Sequence, residues 1–460
     1  MGVMYLKRKL LALALIVIFT IPFLGGCTTK IKQIDNLMRP PMLEGEYHDL
    51  QLAFNNAVGS DIILKAPQSG EFRSAYVLYD IDGDNENEAV VFYINREDKT
   101  VAHMNVLDKE DNNWVSIADI EGSGSDIKAV EFTEMNGDMF PEIIVSWSLY
   151  DNEANKILSV FECSKVDSKL TVKEISTEPF NIMKPIDVDS DGNNEIFLIR
   201  LDTSSEVPQS YAKMLKMQND GSIKLVSQIK LDGNIESYAE IKAEKVSEDY
   251  PMRIYIDANK GATQMITEVV FWDKQKHQLV DPMLNEQTQS NIITWRSTRI
   301  PSMDINNDGI IEIPTQTIMP GSILLSKDTE SMPIYLTKWL QISNTGTAFE
   351  VMQSVINFTD NYMFILPSTL SGKITINNNI IDKQWDVYSY TSVSKPGEML
   401  FSIRAVLVSK WIDDKTIYNG YTKIINNSGM VVGAYISPEG KDLGIDYKFL
   451  KQYIVAYEGG

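Results

Sequence analysis

Three segments of the 460-residue chain place oxygen-bearing side chains at alternate positions: Asp80-Ile-Asp82-Gly-Asp84-Asn-Glu86-Asn-Glu88, Asp187-Val-Asp189-Ser-Asp191-Gly-Asn193-Asn-Glu195 and Asp304-Ile-Asn306-Asn-Asp308-Gly-Ile310-Ile-Glu312. In a nine-residue loop the side chains at positions one, three, five and nine converge on one point. Unit charges about 4 Å apart at an effective dielectric of about 20 repel by roughly 4 kcal/mol per pair, so a hard divalent cation is the natural counter-charge. Calcium takes about six to eight oxygens in flexible geometry, and the carbonyl at position seven (Glu86, Asn193, Ile310) with water would complete the set. A softer fourth copy, Glu134-Met-Asn136-Gly-Asp138-Met-Phe-Pro-Glu142, keeps the oxygen pattern. The competing reading is a turn rich in Asp and Asn that needs no metal; recurrence with a glutamate at the ninth position each time favours the metal. Ligand charge and the loop glycine rank 187–195 first and 304–312 second, then 80–88, with 134–142 last.

These loops must be held by strands, because each is followed at once by an apolar run such as Ala89-Val-Val-Phe-Tyr-Ile94 or Glu195-Ile-Phe-Leu-Ile-Arg200. The first loop positions fall at residues 80, 134, 187 and 304, the last interval being about twice the others, so a degenerate copy is expected near residue 246. A period in the fifties with several short strands per unit is the signature of a propeller blade. The loops, that period and the strands from Arg73-Ser-Ala-Tyr-Val-Leu-Tyr-Asp80 through Val-Val-Phe-Tyr93 resemble the FG-GAP or VCBS repeats of integrin-type β-propellers in bacterial lipoproteins. The resemblance covers about residues 70 to 330. It implies a mainly β fold, a calcium-loop β-propeller of five or six blades, with calcium as the cofactor. Asn85 and Met139 depart from the pattern by standing where the usual loop glycine would be.

The first 26 residues read as a signal peptide: basic Lys7-Arg8-Lys9, an apolar stretch from Leu10 to Phe23, then Leu24-Gly-Gly-Cys27. This resembles a bacterial lipoprotein signal, which implies that Cys27 is acylated, palmitate being one such acyl chain, and becomes the mature N-terminus. The protein is then expected at the cell membrane, lipid-anchored on the extracytoplasmic side, with residues 27–45 as a tether. Only Cys27 and Cys163 exist, so export leaves no intramolecular disulfide, and Cys163 reads as a packed thiol. A net charge of −21 argues against nucleic acid and anionic lipid headgroups as partners.

The propeller is expected over residues 46–343, opening with a brief helix from Glu46 to Val58. After Asn344 the acidic loops stop, and residues 344–460 read as a small α+β domain: seven alternating strand segments, then one helix presenting Leu443, Tyr447, Leu450 and Ile454 to the sheet. Three histidines stand at no ligand spacing, and no nucleophile, zinc or phosphate-loop motif is present. Of the seven tryptophans most are expected in cores, with Trp295 and Arg296 the pair to watch on a propeller face. The leading reading is a non-enzymatic binding protein for a protein or glycan ligand. The alternatives are a calcium-dependent carbohydrate-active enzyme and an accessory subunit of a cell-envelope complex.

Overall fold

The computed structural model describes residues 44–149, 152–204, 206–245, 251–322, 334–343, 345–391, 396–413, 420–427 and 429–457. Cys27, the signal segment and the tether up to residue 43 lie outside the described residues, as do residues 246–250 of the degenerate repeat. Among the described residues no helix is long and apolar enough to cross a membrane.

The chain is mainly β, built as antiparallel sheets that succeed one another in sequence. The first five span residues 62–121, 126–180, 182–231, 237–280 and 313–365, and a sixth spans 374–436. In the second, third and fourth sheets, neighbours in space are neighbours in sequence, because short turns leave each strand nowhere to go but beside its predecessor. The turns are made by residues that tolerate left-handed backbone: Asp111 and Asn112 have φ of 51° and 62°, and Asp167 and Ser168 have 51° and 65°. Two consecutive positive φ values are what a two-residue hairpin of matching twist requires.

Strand centres are apolar on both faces, so each sheet must be covered on both sides. Val90, Phe92 and Met104 of the first sheet pack with Ile143, Val145 and Trp147 of the second. Ile144 and Leu158 of the second meet Ile196 and Leu198 of the third. Phe197 and Ile199 of the third meet Ile254 and Ile256 of the fourth, and Tyr255 and Val269 of the fourth meet Ile313 and Ile342 of the fifth. At about 1.5–3 kcal/mol for each large apolar side chain fully buried, these inter-sheet layers are the main source of cohesion. The far face of the first sheet is covered by helix α1 (Glu44–Val58), whose Leu50 and Phe54 are fully buried against Tyr76, Val91 and Tyr93. That is the helix expected from Glu46 to Val58. No apolar cluster among the described residues joins the first sheet to the sixth.

The expected C-terminal strands all form, but they belong to two sheets. Tyr335–Ile342 pairs with Ala348–Asn357 across residue 344, so the fifth sheet runs through the expected boundary. The terminal strand Ile454–Ala456 returns to pair with Tyr362–Ile365. The single expected helix is instead two, α3 (Pro438–Asp442) and α4 (Tyr447–Tyr453), after α2 (Val408–Asp413). Gly444, at φ 79°, breaks the helical path, and Ser437 and Asp446 cap two separate starts. Leu443 is therefore left 63% exposed, while Leu450 and Ile454 enter the core between the fifth and sixth sheets.

Candidate metal-binding loops

All four acidic loops close in the same way. The ninth-position glutamate begins a strand in the first three and stands one residue ahead of one in the last, and its Oε2 accepts the backbone N–H of position two: Ile81 to Glu88 at 2.7 Å, Met135 to Glu142 at 3.0 Å, Val188 to Glu195 at 2.9 Å and Ile305 to Glu312 at 2.9 Å. The first-position carboxylate accepts the N–H of position six, from Asn85, Met139, Gly192 and Gly309. The fifth-position carboxylate accepts the N–H of position seven, from Glu86, Phe140, Asn193 and Ile310. Position six is left-handed throughout, with φ of 69°, 74°, 101° and 85°. Asn85 and Met139 thus adopt the conformation that glycine adopts freely; for Met139, 81% exposed, this costs about 1–2 kcal/mol, so the loop geometry is imposed rather than relaxed.

Carboxylate oxygens of Asp80, Asp82 and Glu88 lie within 4.8 Å of one another, and so do those of Asp187, Asp189 and Glu195. Both clusters could hold a metal ion. The ninth-position glutamates are buried, and burial together with neighbouring carboxylates raises Glu88 and Glu142 from the usual 4.5 to about 8. Burial raises Glu195 to about 7, and Glu312 also shifts upward for that reason. Glu88 and Glu142 are mostly ionised at neutral pH only if a cation offsets the cost. Glu142 Oε1 is buried and makes no hydrogen bond, and the same holds for Asp189 Oδ1 and Glu195 Oε1 of the third loop. Lysines serve two of the others: Lys165 Nζ is 2.8 Å from Asp82, and Lys216 Nζ is 2.6, 2.7 and 2.8 Å from Asp189, Asp191 and Glu195. In the fourth loop Gln341 Nε2 donates to Asp308 and Glu312 at 2.9 and 2.7 Å.

The loops also fasten two pairs of neighbouring sheets. Asn194 N–H donates to the Glu134 carbonyl and its Nδ2 to Thr133, joining the second and third units at 3.1 and 2.9 Å. Ile311 N–H donates to Glu244 at 2.9 Å, joining the fourth and fifth. Glu244 and Arg253 occupy the places that Thr133 and Glu142 hold in the second unit, being register partners nine residues apart. The degenerate repeat therefore keeps the flanking strand geometry and exchanges its ninth-position glutamate for an arginine.

Other expectations meet different surroundings. Arg296 is fully buried, paired with Asp257 at 2.9 Å, and lies on no open face; Trp295 is half-buried, its Nε1 donating to Gln264 at 3.0 Å. Trp114, Trp147, Trp272, Trp339 and Trp385 are in cores, and Cys163 is a buried thiol whose pKa is pushed up by burial. Sequence reasoning missed a buried acidic group in the fourth sheet. Glu268 accepts the Asp232 N–H at 2.8 Å and Asn291 Nδ2 at 2.8 Å, and burial, reinforced by repulsion from Glu268, raises Asp281 well above the carboxylate range. Its members are scattered from Asp232 to Asn291, so no local signal marks them. A separate cleft of about 440 Å³ lies against the sixth sheet, lined in part by Tyr335, Phe358, Ile380 and Trp385 with the ion pair Asp360–Lys383.

Neither a family model nor a curated protein matches the chain. The structure is distantly similar to Sqt1 of Chaetomium thermophilum, at 9% identity and TM-score 0.30, covering 77% of this chain and 93% of that one. It is also similar to rhamnogalacturonan lyase PL11 of Bacillus licheniformis (11% identity, TM-score 0.21, 60% of each chain). A third is the exo-beta-1,3-galactanase 1,3Gal43A of Clostridium thermocellum (11%, TM-score 0.23, 79% of this chain and 80% of that one). Likenesses this remote carry no argument about activity.

Proposed function

We propose that this chain is a lipid-anchored, extracytoplasmic protein whose stacked sheets form a calcium-stiffened, propeller-type scaffold that binds a protein or glycan without transforming it. The observation that carries the reading is the recurrence of one loop geometry, closed by a buried ninth-position glutamate, in four of the five successive units. A turn needing no ion has no reason to bury a carboxylate each time, since burying an uncompensated charge is costly. Calcium fits the donor set, which is oxygen only and mixes carboxylates with amide groups.

The ligand reading is tested by passing the protein over immobilised polysaccharides and by crosslinking in intact cells. Retention or a crosslinked partner supports it, whereas turnover of a polysaccharide would replace it with the enzyme reading. The anchor reading rests on Leu24-Gly-Gly-Cys27. Cys27→Ala is expected to abolish labelling by a fatty-acid analogue, because thioether attachment needs that sulfur, and persistent label on the variant contradicts the assignment.

A further inference from the structure

The strand that follows in each sheet brings one residue to face the ninth loop position. Ala89 pairs with Leu107, Ile143 with Phe161, Ile196 with Leu215 and Ile313 with Leu340. One register step outward sets Glu88 against Asp108, Glu142 against Glu162, Glu195 against Lys216 and Glu312 against Gln341. In the third loop the facing ammonium is bound by three carboxylates within 2.8 Å. In the fourth, the facing amide and Asn306 Nδ2 both donate to Glu312 Oε1. In the second, the facing Glu162 side chain has no N–H to give, and Glu142 Oε1 is buried without a hydrogen bond, as Glu195 Oε1 is in the third, where Lys216 Nζ stands 2.8 Å from it. The degenerate repeat carries its cation within the chain, Arg253 being buried 3.9 Å from Glu244.

We propose that the residue facing the ninth position decides which loops take a divalent cation: Lys216 is the resident cation of loop 187–195, Gln341 closes loop 304–312, and metal binding falls to the carboxylate-faced loops, 134–142 and 80–88, in the second of which Lys165 pairs with Asp82 alone and leaves Glu88 to the ion. This rests on the calcium reading above and reverses the order that ligand charge alone gives. Lys216 Nζ meets the same third-, fifth- and ninth-position oxygens that an ion would need, and two cations cannot share them at these distances. In loop 134–142 the orphaned Glu142 oxygen, with Glu134, Asn136 and Asp138, supplies the oxygen ligands a hard divalent ion accepts.

Calcium titration calorimetry on the full chain, with melting in chelator and in calcium, tests this through Lys216→Glu, Asp191→Ala and Glu142→Gln. Lys216→Glu, which makes loop 187–195 carboxylate-faced, should melt lower than the parent in chelator, recover in calcium and bind one more ion. Asp191→Ala should leave stoichiometry unchanged, and Glu142→Gln should lower it by one. Loss of one ion in Asp191→Ala, or no gain in Lys216→Glu, overturns the proposal. If Lys216→Glu does not fold, Asp191→Ala and Glu142→Gln still decide it. If the parent takes up no calcium while Lys216→Glu gains a site, the functional reading fails and the role of Lys216 stands; if neither binds, both fail.

Discussion

Replacing Arg296 by Met should destabilise the folded chain by about 3–5 kcal/mol, the range for breaking a buried ion pair by removing one partner. Arg296 donates from Nε to the Ile300 carbonyl at 2.6 Å, from Nη1 to Thr294 at 3.1 Å and from Nη2 to Asp257 at 2.9 Å. Asp257 also accepts from Thr267 and from both the backbone and side chain of Ser302, so it is held in place and cannot turn to water when its partner goes. Burial brings the guanidinium down to about 10, still charged at neutral pH. Urea unfolding should show a lower midpoint with an unchanged slope. Adding Asp257→Asn should recover part of the loss, because it removes the stranded charge. A midpoint change worth less than about 1 kcal/mol, the value of an exposed pair, would mean that the network is open to solvent.

The second large effect is expected from Trp147→Ala, at about 3–5 kcal/mol. Trp147 is fully buried between the first and second sheets, packs edge-on against Phe92 at 6.1 Å between ring centres, and donates from Nε1 to Ser159 at 3.0 Å. The backbone at Gly122 closes on its ring so tightly that a Cβ there would stand 2.6 Å from it, and a Cβ at Gly124 would stand 2.9 Å from the Trp147 Cβ. The neighbours are strands fixed in ladders, so they cannot collapse into the space. Denaturant unfolding checks it; a loss under about 1 kcal/mol would show that the interface repacks.

The elements of this fold were legible where one period governed them. Apolar runs marked the strands, and the spacing of the loops placed the repeats, including the degenerate one, whose partners Glu244 and Arg253 sit where the interval demanded. The helix from Glu46 was legible because Leu50 and Phe54 recur at helical spacing. What failed was anything set by distant partners. Nothing beside Arg296 in sequence announces Asp257, thirty-nine residues back, and nothing in Leu443-Gly444 distinguishes a continuing helix from a break except the left-handed backbone that Gly444 adopts. In the same way, ligand charge is written in loop 187–195, but Lys216 reaches it only through strand register.

Proton linkage gives the cation a pH signature. Without metal, the folded chain keeps Glu88 and Glu142 protonated up to about pH 8, whereas the unfolded carboxyls release their protons near the ordinary value of about 4.5. Between those limits the folded state binds more protons, so its stability falls as pH rises through that window. A bound cation replaces the protons and removes the loss, and its stabilising effect therefore grows from acid to mildly alkaline pH.

Thermal melting of the protein in chelator and in about 1 mM calcium, at both ends of that window, tests the central claim most directly. With a dissociation constant near 10⁻⁴ M, typical of extracellular modules, each site should contribute roughly 1.4 kcal/mol. The account predicts a higher melting temperature in calcium and a larger shift at pH 8 than at pH 5. Superimposed curves at both pH values would contradict it and leave the loops as turns that need no ion.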